Sequence, residues 1–280
     1  MEKKKNDFIA QGSILAIASI LVRVMGMIYR IPMTAIIGDK GNGFYSYAYS
    51  VYTILLLLSS YSLPLAVSKM VSAKAQLGQW RNVKRVFICA LAFAIGIGTT
   101  FGLIVLIGAQ FFTRVFFHSE LAAIALRFMA PTILIMALLG VFRGFFQGLQ
   151  NTLPTAVSQI VEGLINAILS VVFAYFLFDF GHGMDVAGGT TDLGYAWGAA
   201  GGAIGTGAGA LAGLIFCFIL FVAYRKILAV NISRDKTGTQ QEYGDIFRLM
   251  LSIALPVILS TALYNLIELV DGSLFNNIMA

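Results

Sequence analysis

An all-α bundle of about seven membrane-spanning helices is the fold that this sequence predicts. Three observations lead there. Only 11% of its 280 residues are charged, against roughly 25% in soluble domains, too few to clothe a soluble surface of this size. Hydrophobic residues make up 59%, and they fall into seven apolar stretches of at least the ~20 residues that a span requires. The connections between these stretches sort by charge, with Lys and Arg gathered on alternate ones. The same composition excludes a disordered chain, a disulfide scaffold and a collagen-like chain.

The first stretch, 8–37, follows Lys3, Lys4 and Lys5. It opens like a signal peptide, but the apolar run continues past Arg23 to Ile37 and no convincing cleavage site follows, so an uncleaved helix is expected. Ser19, Arg23, Gly26 and Arg30 are spaced by four, three and four residues, which places them on one helix face. Charge at membrane depth is costly and usually faces a cavity or a partner. Two guanidinium groups flanking a glycine suit a phosphate. In the competing reading, Arg30 snorkels to the interface and Arg23 pairs with an internal acid.

The second stretch, 44–68, opens on Tyr45, Tyr47, Tyr49 and Tyr52. These suit an interfacial aromatic belt, or stacking on a sugar or lipid head group. Lys69, Lys74, Arg81, Lys84 and Arg85 follow it. The third stretch, 84–112, holds Gly98 and Gly102, and the fourth, 121–146, leads through Gly140 and Gly144 to Gly148. The fifth, 153–178, presents Gln159, Glu162, Asn166 and Ser170 on one face. Such residues join helices by hydrogen bonds or line a path for a cation. The connection 179–194 carries Asp179, Asp185 and Asp192 and no base. The sixth, 195–224, repeats glycine at 201, 205, 209 and 213, a face for close helix packing. It is not a nucleotide loop, because no strand precedes it. The seventh, 246–273, carries Thr261, Asn265, Glu268 and Asp271. Pro64, Pro131 and Pro256 fall inside stretches and are expected to kink or break them.

The charge pattern gives an orientation. The N-terminus, the 69–85 connection, Arg143 and the segment from Arg225 to Arg248 are basic, whereas the opposite side has Lys40 and Arg114. This predicts a multi-pass membrane protein with a cytoplasmic N-terminus. The net charge of +6 therefore reports topology, and no motif supports a nucleic-acid partner. Cys89 and Cys217 read as small apolar packing residues, and His118 and His182 as solvated loop residues. There is no Ser/His/Asp arrangement, metal cluster or Walker loop. No enzymatic activity, metal or cofactor is expected, and any work must come from a gradient or another protein. The layout expected is a six-helix lobe over 1–230, a cytoplasmic linker over 231–245, and over 246–280 a seventh helix that opens a second lobe. The chain then reads as half of a larger transporter.

One stretch resembles a family signature. Arg143-Gly144, Gln147-Gly148 and Pro154-Thr155-Ala156 with Ser158-Gln159 match the pattern between helices four and five of polysaccharide-biosynthesis flippases. These are the stage V sporulation protein B and MurJ (MviN-like) type of the multidrug/oligosaccharidyl-lipid/polysaccharide exporter superfamily. Arg23-Val24-Met25-Gly26 with Tyr29-Arg30-Ile31-Pro32 is similar to that family's helix one, and Leu63–Lys69 to the end of its helix two. The resemblance implies a two-lobe transporter whose central cavity moves an undecaprenyl-pyrophosphate-linked saccharide, such as lipid II, by alternating access. It implies pyrophosphate binding by Arg23 and, more loosely, Arg30. It also implies Asp271 at a site for a coupling sodium ion or proton. Glu162 and Glu268, read from their own polar helix faces, are candidates for coupling or helix packing. Membrane lipids and cell-wall synthesis proteins are the implied partners. Two other readings stand beside it. One is a cation-coupled multidrug exporter of the same superfamily, against which the Arg23/Arg30 stripe argues. The other is a truncated, non-transporting membrane chain.

Overall fold

The computed structural model describes the backbone of residues 2–59, 62–188 and 191–279, and the side chains of 12–59, 62–188, 191–260 and 263. The chain is an all-α membrane bundle. Its elements are α1 (Glu2–Ser59), α2 (Leu63–Gln76), α3 (Trp80–Phe117), α4 (Ala122–Gly148), α5 (Leu153–Gly188), α6 (Leu193–Ser233) and α7 (Tyr243–Met279). Among the described residues there is no strand.

The expected first and second spans are joined without a loop. Gly12–Gln76 is one apolar stretch of 65 residues, far longer than a ~30 Å hydrocarbon core can hold at ~1.5 Å per residue. It turns sharply at Gly38, whose φ of 63° and ψ of −177° lie outside the helical range. That conformation suits a residue with no Cβ. The two arms of α1 then fold back on each other, since Met33 and Tyr45 both pack on Gly202 of α6. The second span also ends earlier than expected, at Ser59. Pro64 sits in the first turn of α2, where its missing N–H costs nothing, whereas a continuous helix through it would clash. Pro32, Pro131 and Pro256 lie inside helices.

A second correction concerns residues 179–194, expected as a connection. α5 runs on to Gly188 and α6 begins at Leu193. The buried Asp185 accepts the backbone N–H groups of Leu193 (3.0 Å) and Gly194 (2.8 Å). It thus satisfies two donors that the start of α6 leaves without helical partners. Asp192 pairs with Lys40 near the α1 bend, at 3.0 Å. Two of the three aspartates in this segment therefore have structural partners.

The core divides into two clusters along the bundle. One joins α2, the first half of α3, the second halves of α4 and α6, and Ile246, Met250 and Ala254 of α7. The other joins the α1 hairpin, the second half of α3, the first halves of α4 and α6, and Ala174 of α5. α5 and α6 meet through the glycine series. A Cβ on Gly205 would collide with the backbone and hydroxyl of Ser170, and one on Gly209 would lie 2.5 Å from the Glu162 carbonyl oxygen. Cys89 and Cys217 are buried free thiols. His118 is exposed, caps α3 and has φ 52°.

The segment after α6 is fixed to the start of α3. Asn82, fully buried, donates to the Thr239 carbonyl (3.1 Å) and accepts from the Gln241 N–H (3.0 Å). Asp235 accepts the N–H of Arg81 at 2.9 Å. Arg85 donates to Gln240 Oε1 at 2.8 Å, and its guanidinium lies 5.2 Å from the Tyr243 ring centre.

Candidate functional site

The signature stretch folds as the end of α4, a tight turn and the start of α5. Gln150 takes a positive φ of 60° in the turn, and Asn151 Oδ1 accepts the Leu153 N–H. Pro154 follows as the second residue of α5, a first-turn position where its missing N–H is no loss. The signature residues divide by role. A Cβ on Gly144 would meet the Pro64 carbonyl oxygen at 2.6 Å, and one on Gly148 the Ser68 carbonyl oxygen at 2.8 Å. These glycines let α4 lie directly on α2. Arg143 and Gln147, four residues apart, share another face and meet α5.

Arg143 is only 9% exposed. Its Nε donates to Ser158 Oγ at 2.8 Å, and its Nη2 donates to Glu162 Oε2 at 2.7 Å. The Ser158 hydroxyl donates in turn to the Thr155 carbonyl (2.8 Å), and Gln147 Nε2 donates to Thr155 Oγ1 (3.2 Å). A buried arginine is tolerable here because the carboxylate and hydroxyl replace its water. Beside this network lies a recess of about 450 Å³, lined by Pro64, Arg143, Gln147, Thr155, Gln159 and Val257 among others. Gln159 lines the recess, and its Oε1 is buried and accepts no hydrogen bond among the described residues.

Arg23 and Arg30 have different surroundings. Both are exposed on the first arm of α1. Neither makes an ion pair among the described residues, and a Cβ on Gly26 between them would meet nothing within 4 Å. Among the described residues no internal acid pairs with Arg23. α5 does pack on this part of α1, with Gly163 against Val22 and Met25, but its acid, Glu162, is taken by Arg143. Arg30 lies within electrostatic reach of Tyr49, as does Glu162. Ser19 turns back to the Leu15 carbonyl and leaves the stripe.

The other predicted residues separate as well. Ser170 donates to Asn166 Oδ1 (2.7 Å) and lies 3.2 Å from the Gly202 carbonyl oxygen, so this part of the α5 stripe joins helices. Tyr45 and Tyr52, each 3% exposed, pack inside and not in a belt. Tyr45 shares a hydrogen bond with Thr206, and Tyr47 stacks on Phe117. Tyr49 keeps an exposed face. The side chains of Thr261, Asn265, Glu268 and Asp271 lie outside the described residues. Sequence reasoning found Arg143, Ser158, Gln159 and Glu162 but gave Arg143 and Ser158 no part in a site. The Arg143–Glu162 distance of 19 residues crosses a turn, and no helical spacing reveals it.

Comparison with known proteins agrees with this architecture. The family model for polysaccharide biosynthesis proteins matches residues 8–280. Stage V sporulation protein B of Bacillus subtilis is 27% identical over 94% of this chain and 48% of its own length. The lipid II flippase MurJ of the same organism is 26% identical over 95% of this chain and 48% of its own length. The chain thus spans about half the length of these relatives. A MOP superfamily transporter from Pyrococcus furiosus superposes with a TM-score of 0.61 at 17% identity, covering 89% of this chain and 51% of that one. An outward-facing multidrug resistance MATE family transporter gives 0.64 at 17% identity, covering 89% and 51%. Where these names state an activity, it is transport and not catalysis. With the whole bundle matched by one family model, and its fold shared with MOP superfamily transporters, the chain belongs to the polysaccharide biosynthesis protein family.

Proposed function

We propose that this chain supplies the anion-binding helix bundle of a flippase for a lipid-linked saccharide, with a pyrophosphate held by Arg23 and Arg30. The observation that carries this reading is the contrast in charge state along the bundle. Arg143 is neutralised by Glu162, while Arg23 and Arg30 stand on one face with no acid paired to them among the described residues. Two unpaired guanidinium groups two turns apart fit a diphosphate better than a cationic drug. The relative named as a lipid II flippase supports an undecaprenyl-pyrophosphate saccharide as the class of cargo. Alternating access, driven by a sodium ion, a proton or the membrane potential, and a bacterial plasma membrane location with a cytoplasmic N-terminus complete the proposal.

The test is complementation of a flippase-depleted strain with the full product of the gene. Arg23→Ala is expected to abolish growth and lipid-linked saccharide flipping while the protein still reaches the membrane. Undiminished growth with Arg23→Ala sinks the reading. The orientation has its own check. A cysteine at Thr191 is expected to react with an impermeant reagent from outside, and one at Thr239 only after the membrane is opened. The reverse pattern overturns the topology.

A further inference from the structure

The recess beside Arg143 has a chemistry of its own. Its walls combine a polar strip, from Gln147, Thr155, Gln159 and Arg143, with apolar surface from Pro64, Leu56 and their neighbours. Gln159 Oε1 is a buried acceptor with no donor, and such a group is costly unless something donates to it. Arg143 uses Nε and Nη2 on Ser158 and Glu162, and its Nη1 donates to nothing among the described residues. Gln159 and Arg143 both line the recess, and each keeps one unused hydrogen-bonding group: an acceptor on Gln159, which an occupant reaches once the amide turns inward, and a donor on Arg143. Its volume of about 450 Å³ falls within the roughly 300–1,000 Å³ of small-molecule sites. Its charge is cancelled, because the Glu162 carboxylate lies 2.7 Å from the Arg143 guanidinium.

We infer that this recess binds an uncharged polar group bearing hydroxyls or an amide on an apolar ring, and that Glu162 sets the selectivity by keeping Arg143 from attracting anions. A hydroxyl both donates, to Gln159 Oε1, and accepts, from Arg143 Nη1. A pyranose adds a C–H face that fits the apolar walls. The choice of a saccharide among neutral polar groups rests on the flippase reading; the neutrality and the donor–acceptor pair do not. Within that reading, one protein separates the two halves of its cargo, with the diphosphate at the unpaired arginines of α1 and the sugar at the compensated arginine of α4.

Saturation-transfer NMR on the full chain in lipid nanodiscs tests this with two soluble probes, N-acetylglucosamine and methylphosphonate. The expected result is transfer to N-acetylglucosamine and none to methylphosphonate that the sugar can displace. Gln159→Leu and Thr155→Val should each weaken the sugar signal about fivefold, the worth of one hydrogen bond. Glu162→Gln frees Arg143 and should add a methylphosphonate signal. If Glu162→Gln does not fold, Gln159→Leu decides alone, with an unchanged melting temperature as its control. Sugar transfer unaffected by Gln159→Leu, or methylphosphonate displacing the sugar in the unmodified chain, overturns the inference. No lipid-linked saccharide and no flipping step enter this measurement, so it can fail while Arg23 remains essential in cells, and the reverse.

Discussion

Arg143 and Arg23 carry the same charge into the same bundle and meet opposite surroundings. Arg143 sits between α4 and α5, 9% exposed, held by Ser158 and Glu162. Arg23 lies exposed on the first arm of α1, beside the open space at Gly26. A buried charge must be compensated within the fold, and its removal is read in stability. An exposed and uncompensated charge contributes little to stability, and its removal is read in function. The difference teaches that the family signature and the α1 arginines are separate devices, one mainly architectural and one free to meet a ligand.

The largest effect that can break this comparison is the loss of Arg143. Arg143→Ala strands Glu162 and is expected to cost about 3 kcal/mol, the low end for a broken buried pair because Glu162 keeps a quarter of its side chain exposed. Arg143→Met with Glu162→Leu should recover most of that loss, since a neutral apolar pair needs no compensation. Arg23→Ala is expected to change stability by no more than about 0.5 kcal/mol. Thermal unfolding of the purified variants in one detergent measures all three. Equal losses for Arg143→Ala and Arg23→Ala remove the distinction.

The two arginines also show what was legible in the sequence. The bundle was legible because apolar stretches and basic connections are written locally, residue after residue. The α1 stripe was legible because Arg23, Gly26 and Arg30 repeat at helical spacing within one element. The Arg143–Glu162 pair was not, because its geometry depends on how the turn at Gln150 brings α4 against α5. The α1 hairpin was missed for a similar reason. A bend at one glycine leaves no polar loop to mark it, so 38–43 read as a connection. Residues 179–194 misled in the other direction. Their acidic charge marks a connection between spans, yet Asp185 is buried and caps α6.

Glycine substitutions sharpen the same contrast at a smaller scale. Gly205 and Gly26 both lie in helices, but only Gly205 faces another backbone, where an added Cβ would collide with Ser170. Gly205→Ala should therefore cost about 1–3 kcal/mol through overpacking of α5 on α6. Gly26→Ala meets empty space and should stabilise the helix by about 0.5–1 kcal/mol. Melting temperatures moving in opposite directions confirm this; a fall in both shows that α1 meets a surface near Gly26.

The smallest effect concerns a third way of holding a charge. Asp235 is buried at the surface of the α6–α7 segment, with no ion pair to a side chain among the described residues. Its carboxylate accepts the N–H of Arg81 (2.9 Å), the hydroxyl of Thr237 (2.6 Å) and the N–H of Thr237 (2.9 Å). The Arg81 N–H, and after it Thr237, pull its pKa down to about 2. A carboxyl whose folded value is lowered contributes stability that is fully present above its unfolded value, near 3.9. That contribution is lost as pH falls through the folded value. Attachment of residues 235–241 to α3 should thus be constant from pH 8 to pH 5 and weaken between about pH 4 and pH 2. Hydrogen exchange at the Thr237 and Gln241 amides, corrected for intrinsic rates, measures it. Asp235→Ala should raise exchange at Thr237 at every pH above about 4, while Asn82 still holds Gln241. A loss of protection already between pH 7 and pH 5 shows that another group carries the attachment. Unaltered exchange at Thr237 in Asp235→Ala shows that Asn82 and Arg85 hold the segment without the acid, and backbone donors would then not be an equivalent of the Arg143–Glu162 pair.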